Sequence, residues 1–158
     1  MNKQEKSLYM TVLMTPEMAN FSGNVHGGAI LKLLDQVAYA CAARYCKSYV
    51  VTVSLDQVVF KEPIKVGELV TFKANVNYVG RTSMEVGIKV IAENLETREQ
   101  RHTNSCYFTM VAMGKDGKSI PVPPLQIETE LERRLFEAGK MCKEIMERNK
   151  VLHVSIPD

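Results

Sequence analysis

The segment Gly23-Asn24-Val25-His26-Gly27-Gly28-Ala29-Ile30-Leu31-Lys32-Leu33-Leu34-Asp35 places an amide, an imidazole, two adjacent glycines and a carboxylate around the start of an apolar helical stripe. Glycines there let a ligand approach the backbone, and the first N–H groups of a helix have no intrahelical acceptor. Together with the partial positive charge of the helix N-terminus, those donors suit a carbonyl oxygen that becomes negative during a reaction. Asp35 stands beside the stripe, where a carboxylate is costly unless it is paired, hydrogen-bonded or used in chemistry. His26 offers a hydrogen-bond donor or an acid–base group. The chemistry implied is stabilisation of a carbonyl oxygen that turns negative, with Gly27 and Gly28 as oxyanion donors and Asp35 as a carboxylate that such chemistry could employ. Each residue also fits a plain structural role: a tight helix start for Gly27-Gly28, an N-cap or turn for Asn24, a helix-start residue in His26, and a partner of Lys32 or Arg44 for Asp35.

Spacing restricts how these groups cooperate. If the helix begins near Gly27, Asp35 lies about two turns along it, ~12 Å from the N-terminal donors. Asn24 and Asp35 of one chain then cannot touch one reacting atom. A site that uses both must be completed by Asp35 of a second copy.

The elements that position these residues follow from periodicity. Leu8 to Met14 reads as a strand ending at Thr15-Pro16. Ile30, Leu33, Leu34, Val37 and Cys41 mark a helix from His26 or Gly27 to about Tyr45, and Ala38, Ala42 and Ala43 make much of its remaining surface apolar or small, as in an enclosed central helix. The period then changes to two. Val51, Val53 and Leu55 alternate with polar residues, as do Val70 to Tyr78, Met84 to Ala92 and Cys106 to Ala112. Short connections around Pro63–Gly67, Val79–Arg81 and Leu95–Gln100 predict that successive strands form an antiparallel meander. Leu131, Leu135, Ala138, Cys142 and Ile145 give an amphipathic helix over about 127–149. The expected fold class is α+β, a curled antiparallel sheet of about five strands around a central buried helix, within one domain (1–158, core about 8–124). Such a sheet has edges and covers only part of its helix, so a dimer or higher homo-oligomer is expected.

Composition narrows the function classes. The 158 residues carry a formal net charge of +2, with no tryptophan, so a nucleic-acid partner is not expected. Nine methionines supply an adaptable apolar interior. Cys41, Cys46, Cys106 and Cys142 form no C-x-x-C pair and no zinc spacing, which fits reduced thiols in the cytoplasm and no metal site. The N-terminus lacks signal-peptide features, and the longest uninterrupted apolar run, Val37 to Ala43, is too short to span a bilayer. His102 and His153 stand apart from the helix-start constellation. Arg133, Arg134 and Arg148 read as a charged face of the last helix.

The run Asn24-Val25-His26-Gly27-Gly28 followed by Leu33-Leu34-Asp35 resembles the signature of hotdog-fold acyl-CoA thioesterases of the cytosolic acyl-CoA hydrolase type. Phe60-Lys61-Glu62-Pro63-Ile64-Lys65-Val66-Gly67-Glu68, Val79-Gly80-Arg81-Thr82-Ser83-Met84-Glu85-Val86 and Phe108 to Met113 extend the resemblance in order to about Pro124. It implies hydrolysis of fatty acyl-CoA to free acid and CoA, without a cofactor, in a trimer of hotdog dimers. Asn24 would orient the attacking water or the thioester, the Gly28 amide would polarise the carbonyl, and Asp35 of the other subunit would act as base or nucleophile. His26 and Gly27 would line the substrate, and Gly80-Arg81-Thr82-Ser83 would lie along the pantetheine and phosphates of CoA, for which hydroxyls and a guanidinium are suited. Two rival readings share the fold. An acyl-thioester dehydratase or hydratase would use His26 with Asp35, and an acyl-CoA sensor would bind without chemistry.

Overall fold

The computed structural model describes residues 3–56 and 58–149. Its elements are β1 (Ser7–Leu13), a 3-10 turn (Pro16–Met18), α1 (Gly27–Cys46), β2 (Tyr49–Asp56), β3 (Leu69–Val79), β4 (Ser83–Glu93), β5 (Gln100–Met113) and α2 (Glu130–Asn149). One antiparallel sheet holds the strands in the order β1-β3-β4-β5-β2. The expected α+β class, five strands and two helices are all present. The meander holds only for β3-β4-β5: β2 pairs with β5, and β1 and β2 form the two edges. Residues 57–68 are long enough to carry the chain across from one side of the sheet to the other, which the short Pro63–Gly67 turn had hidden.

Alternation in the three central strands sets the core. Val70, Phe72, Ala74 and Val76 of β3, Met84, Val86, Ile88 and Val90 of β4, and Cys106, Phe108, Met110 and Ala112 of β5 are all buried on the face that holds α1. Helix α1 answers with Ile30, Leu34, Val37, Ala38, Cys41 and Ala42, and each large apolar side chain so buried contributes about 2 kcal/mol. The helix stops where Lys47 adopts a left-handed conformation, φ 55°, and its N–H returns to the Ala43 carbonyl. Enclosure of α1 is one-sided: Lys32, Asp35, Gln36, Tyr39 and Ala40 are exposed.

Two patterns differ from expectation for physical reasons. In β2 the apolar alternation of Val51, Val53 and Leu55 does not mark the core face. Val50 is the buried residue, and a register shift between Thr52 and Ser54 makes Val53 an extra, exposed residue. As an edge strand, β2 lacks the two-sided constraint that makes alternation diagnostic. Helix α2 begins at Glu130, later than the apolar spacing indicated, because Thr129 and Glu132 form a capping box: the Glu132 N–H donates to Thr129 Oγ1 at 3.1 Å and the Thr129 N–H to Glu132 Oε2 at 3.3 Å. It lies on the outer sheet face through Phe136, whose ring meets Tyr78 at 5.0 Å, and Gly139, where a methyl group would stand 2.6 Å from Tyr78 Cβ. Leu131 and Ile145 of the expected apolar stripe are exposed.

Candidate active site

Helix α1 is capped by His26 and not by Asn24. The Gly28 N–H donates to His26 Nδ1 at 3.0 Å, which assigns the ring proton of the neutral imidazole to Nε2. The Gly27 N–H has no acceptor among the described residues. Asn24 instead belongs to a short bridge: its carbonyl accepts from the Asn20 N–H at 2.7 Å, its own N–H donates to Asn20 Oδ1 at 3.1 Å, and its backbone pairs with Lys65. The side-chain amide makes a long contact to Ser22 Oγ, 3.4 Å, and lines a cleft of about 350 Å³ with Gly27, Phe60 and Ile64.

The far wall of that cleft is held by an ion pair that the sequence did not reveal. Glu68, 5% exposed, accepts two hydrogen bonds from Arg101 at 2.7 and 2.8 Å and one from the Lys65 N–H at 2.7 Å. Arg101 also donates to Glu62 and to the Pro63 carbonyl. Its guanidinium pKa is pushed further up by the hydrogen bond to Glu68. The connection between β2 and β3, which carries Phe60 and Ile64, is thereby fastened to β5.

Asp35 projects from the open side of α1. It forms no ion pair among the described residues, and Arg44 is engaged elsewhere, with Glu5 and the Ser7 carbonyl. Among the described residues its one side-chain partner is Thr52 on β2, whose hydroxyl donates to Asp35 Oδ1 at 2.7 Å. Thr52 is the partner of a candidate site residue that sequence reading missed; it looked like the polar half of a strand alternation. Asp35 and Thr52 line a second cleft, about 370 Å³, walled by Tyr39 and Tyr49, whose rings stand 6.2 Å apart.

Asn24 and Asp35 therefore occupy different open clefts of one protomer. Asp35 is the ninth residue of α1, so the rise of the helix places it ~12 Å from the N-terminal donors, as the spacing implied. Each of the two clefts thus holds one of the two groups.

The Gly80-Arg81-Thr82 turn joins β3 to β4, closed by the Gly80 N–H donating to the Ser83 carbonyl at 2.9 Å. Thr82 and Ser83 line a third cleft of about 360 Å³ with Ser54 and Lys143; Arg81 is exposed. Of the arginines on α2, Arg133 and Arg134 lie 3.9 Å from Glu130 within their own helix, and Arg148 is exposed. His102 Nε2 is occupied by Ser105 Oγ and the Asn104 carbonyl, and His153 lies outside the described residues. Among the described residues no group of His, Cys, Asp and Glu could hold a metal ion. Burial pushes the Cys41 and Cys106 thiols up to about 12, so neither is a nucleophile at neutral pH. No helix among the described residues is long and apolar enough to cross a membrane.

Comparison with known proteins fits this geometry. The sequence profile of the thioesterase superfamily matches residues 22–98, the stretch from the Asn24 bridge through β4. The Helicobacter pylori protein VdlD is 53% identical over 141 residues, 89% of this chain and 80% of that protein. The Bacillus subtilis uncharacterized acyl-CoA thioester hydrolase YkhA is 36% identical over 136 residues, 86% of this chain and 79% of that protein. The crystal structure of an apo-hexameric acyl-CoA thioesterase superposes with a TM-score of 0.90 at 36% identity, covering 94% of this chain and 96% of that one.

Proposed function

The chain belongs to the acyl-CoA thioester hydrolases of the thioesterase superfamily, and we propose that it hydrolyses fatty acyl-CoA to the free acid and CoA in a site shared between two copies of itself. The observation that carries this reading is the division of Asn24 and Asp35 between separate clefts. Where a second copy brings its Asp35 cleft against the Asn24 cleft of the first, the groups converge on one thioester. The thioester carbonyl oxygen takes hydrogen bonds from the Gly28 N–H, in competition with His26 Nδ1, and from the unpartnered Gly27 N–H. Charge developing on that oxygen is then met by donors already fixed by the helix. Asn24 orients the water or the thioester. Asp35, held by Thr52 through one carboxylate oxygen, uses the other to take a proton from water or to attack the carbonyl carbon. Collapse of the tetrahedral intermediate breaks the C–S bond, the thiolate leaves as CoA after taking up a proton, and water supplies the second oxygen of the acid.

The reading needs no metal or cofactor and no nucleic acid. It requires a homo-oligomer, a dimer at least; the similar thioesterase is hexameric, a size that three such dimers would give. Reduced, inert thiols accord with a cytoplasmic setting. Hydration chemistry is disfavoured because the similar proteins are thioester hydrolases.

Thiol release measured across an acyl-CoA chain-length panel tests the reading, with hydration of an enoyl-CoA assayed in parallel. Asn24→Ala and Asp35→Ala should each abolish thiol release while the oligomer stays intact by size-exclusion chromatography. Undiminished activity in Asp35→Ala, or hydration without thiol release, overturns it.

A further inference from the structure

We propose that Arg101 and Glu68 are positioning residues for the reaction: their pair fixes the connection against which the Asn24 loop is registered, and so holds the Asn24 amide in place beside Gly27 and Gly28. The inference rests on the acyl-CoA hydrolase reading. The loop has little else to hold it. Phe21 is fully exposed, Gly23 turns through a φ of 84°, and Asn20 Oδ1 binds only within the loop, accepting from the Ser22 and Asn24 N–H groups at 2.9 and 3.1 Å. Two further ties are local: the His26 N–H donates to the Met18 carbonyl at 2.7 Å, and Ala19 bridges to Val25. Among the described residues, the hydrogen-bonded tie to a distant part of the chain is the Val25 N–H donating to the Ile64 carbonyl at 2.7 Å, with the Asn24–Lys65 bridge beside it. Where the Asn24 amide stands therefore depends on where residues 64 and 65 stand.

Arg101 fixes those two residues. It stands on β5 opposite Ala92 of β4, and its guanidinium donates to Glu62 Oε2 at 3.0 Å, to the Pro63 carbonyl at 3.2 Å and to both oxygens of Glu68 at 2.7 and 2.8 Å. Every partner it has among the described residues thus lies in the connection between β2 and β3, and these partners bracket Ile64 and Lys65. Glu68 in turn accepts from the Lys65 N–H at 2.7 Å, on the backbone that meets Asn24. The path runs from β5 through Arg101, Glu68 and Lys65 to the loop. Energetics point the same way. A buried ion pair does little for stability relative to apolar residues of similar volume, because desolvation offsets the attraction, whereas a bidentate fork admits one geometry. Apolar packing at these positions would keep the connection on the sheet yet let it slide; the fork does not. A misplacement of about 1 Å in a substrate-orienting group lowers a rate about 100-fold, so the effect of the pair belongs in kcat.

The test uses the full chain with two changes: Arg101→Lys, which keeps the charge but not the fork, and the double substitution Arg101→Met/Glu68→Gln, which removes both charges and leaves an oxygen to accept the Lys65 N–H. Thiol release is measured at a temperature where circular dichroism shows each protein folded. In the double variant kcat should fall about ten- to hundredfold with KM within about twofold of wild type, and Arg101→Lys should show the same split at about three- to tenfold. Hydrogen exchange should quicken at the Val25 N–H while Val86, in the central strand β4, keeps its protection. Unchanged kcat in the folded variants, a penalty carried by KM, or protection lost evenly at Val25 and Val86 overturns the positioning role and leaves hydrolysis by Asn24 and Asp35 standing. A wild-type protein that releases thiol from no acyl-CoA overturns the hydrolase reading itself, and with it the role in kcat; the exchange measurement then still decides whether the pair fixes the loop.

Discussion

If each site takes Asn24 from one copy and Asp35 from its partner, two inactive variants must make an active hybrid. Within one protomer the two residues face different clefts, with ~12 Å of helix between Asp35 and the donors at Gly27 and Gly28, so a site formed in cis is excluded by geometry. In a twofold-symmetric dimer there are two equivalent shared sites. Asn24→Ala spoils both, and so does Asp35→Ala, each lowering the rate by about 10²–10⁴. In a dimer with one subunit of each kind, one site carries both substitutions and the other carries neither. Equimolar subunits that exchange at random give about half hybrids, each with one intact site of two, so activity should return to about a quarter of wild type. The assay is thiol release after the two variants are mixed, partly denatured and refolded, with hybrid formation followed by native mass spectrometry. Activity that stays at the parental level when hybrids make up half of the population would refute the shared site. Recovery well above a quarter would equally show that the two residues do not act as an obligate pair.

Three further perturbations follow from contacts around the site. Thr52→Val removes the hydrogen bond to Asp35 Oδ1 and should lower kcat/KM about tenfold with little change in melting temperature, while Thr52→Ser restores it. Arg101→Ala leaves the buried carboxylate of Glu68 without its bidentate partner; the cost should be about 3 kcal/mol, or roughly 6–12 °C in Tm by calorimetry, and the Phe60–Ile64 wall should lose hydrogen-exchange protection. Glu85 has its pKa raised from 4.5, first by burial and then by Asp56, against a lowering by Asn77. Its ionisation therefore opposes folding above the folded pKa and contributes nothing below the unfolded one. Glu85→Gln should raise Tm at pH 7, and the gain should vanish near pH 4; an equal gain at both pH values would contradict the assignment.

Much of this was legible because the central strands and α1 are constrained on their buried faces. Val70, Phe72 and Ala74 had to alternate, and a helix carrying Ile30, Leu34 and Val37 had to meet them. The Asn24–Asp35 spacing was legible for the same reason, since helix rise converts residue number into distance. What escaped detection depends on edges and on long-range partners. Strand β2 is bulged and exposed, so its apolar residues follow no core and its place beside β5 leaves no mark on local pattern. Thr52 reaches Asp35 only through that register. The pairing of Glu68 with Arg101 spans 33 positions, and nothing near either residue signals the other. His26 as cap was missed because the sequence offered Asn24, a commoner capping type, while the backbone of Asn24 was already committed to Asn20 and Lys65.

The same edge explains why chemistry and assembly should be inseparable. An edge strand presents unpaired backbone groups, and β2 adds exposed Tyr49, Val53 and Leu55, with Tyr39 of α1 beside them. In an isolated protomer this surface is a liability, and Asp35 there is a solvated carboxylate with one hydroxyl partner. In the proposed dimer a second copy that covers the edge would exclude water from the tyrosine-walled cleft and confine Asp35 between Thr52 and the incoming thioester. The apolar residues on β2 and the carboxylate on α1 thus answer one requirement, and a substitution such as Val53→Lys, far from any reacting atom, should lower activity in step with the fraction of dissociated protomer.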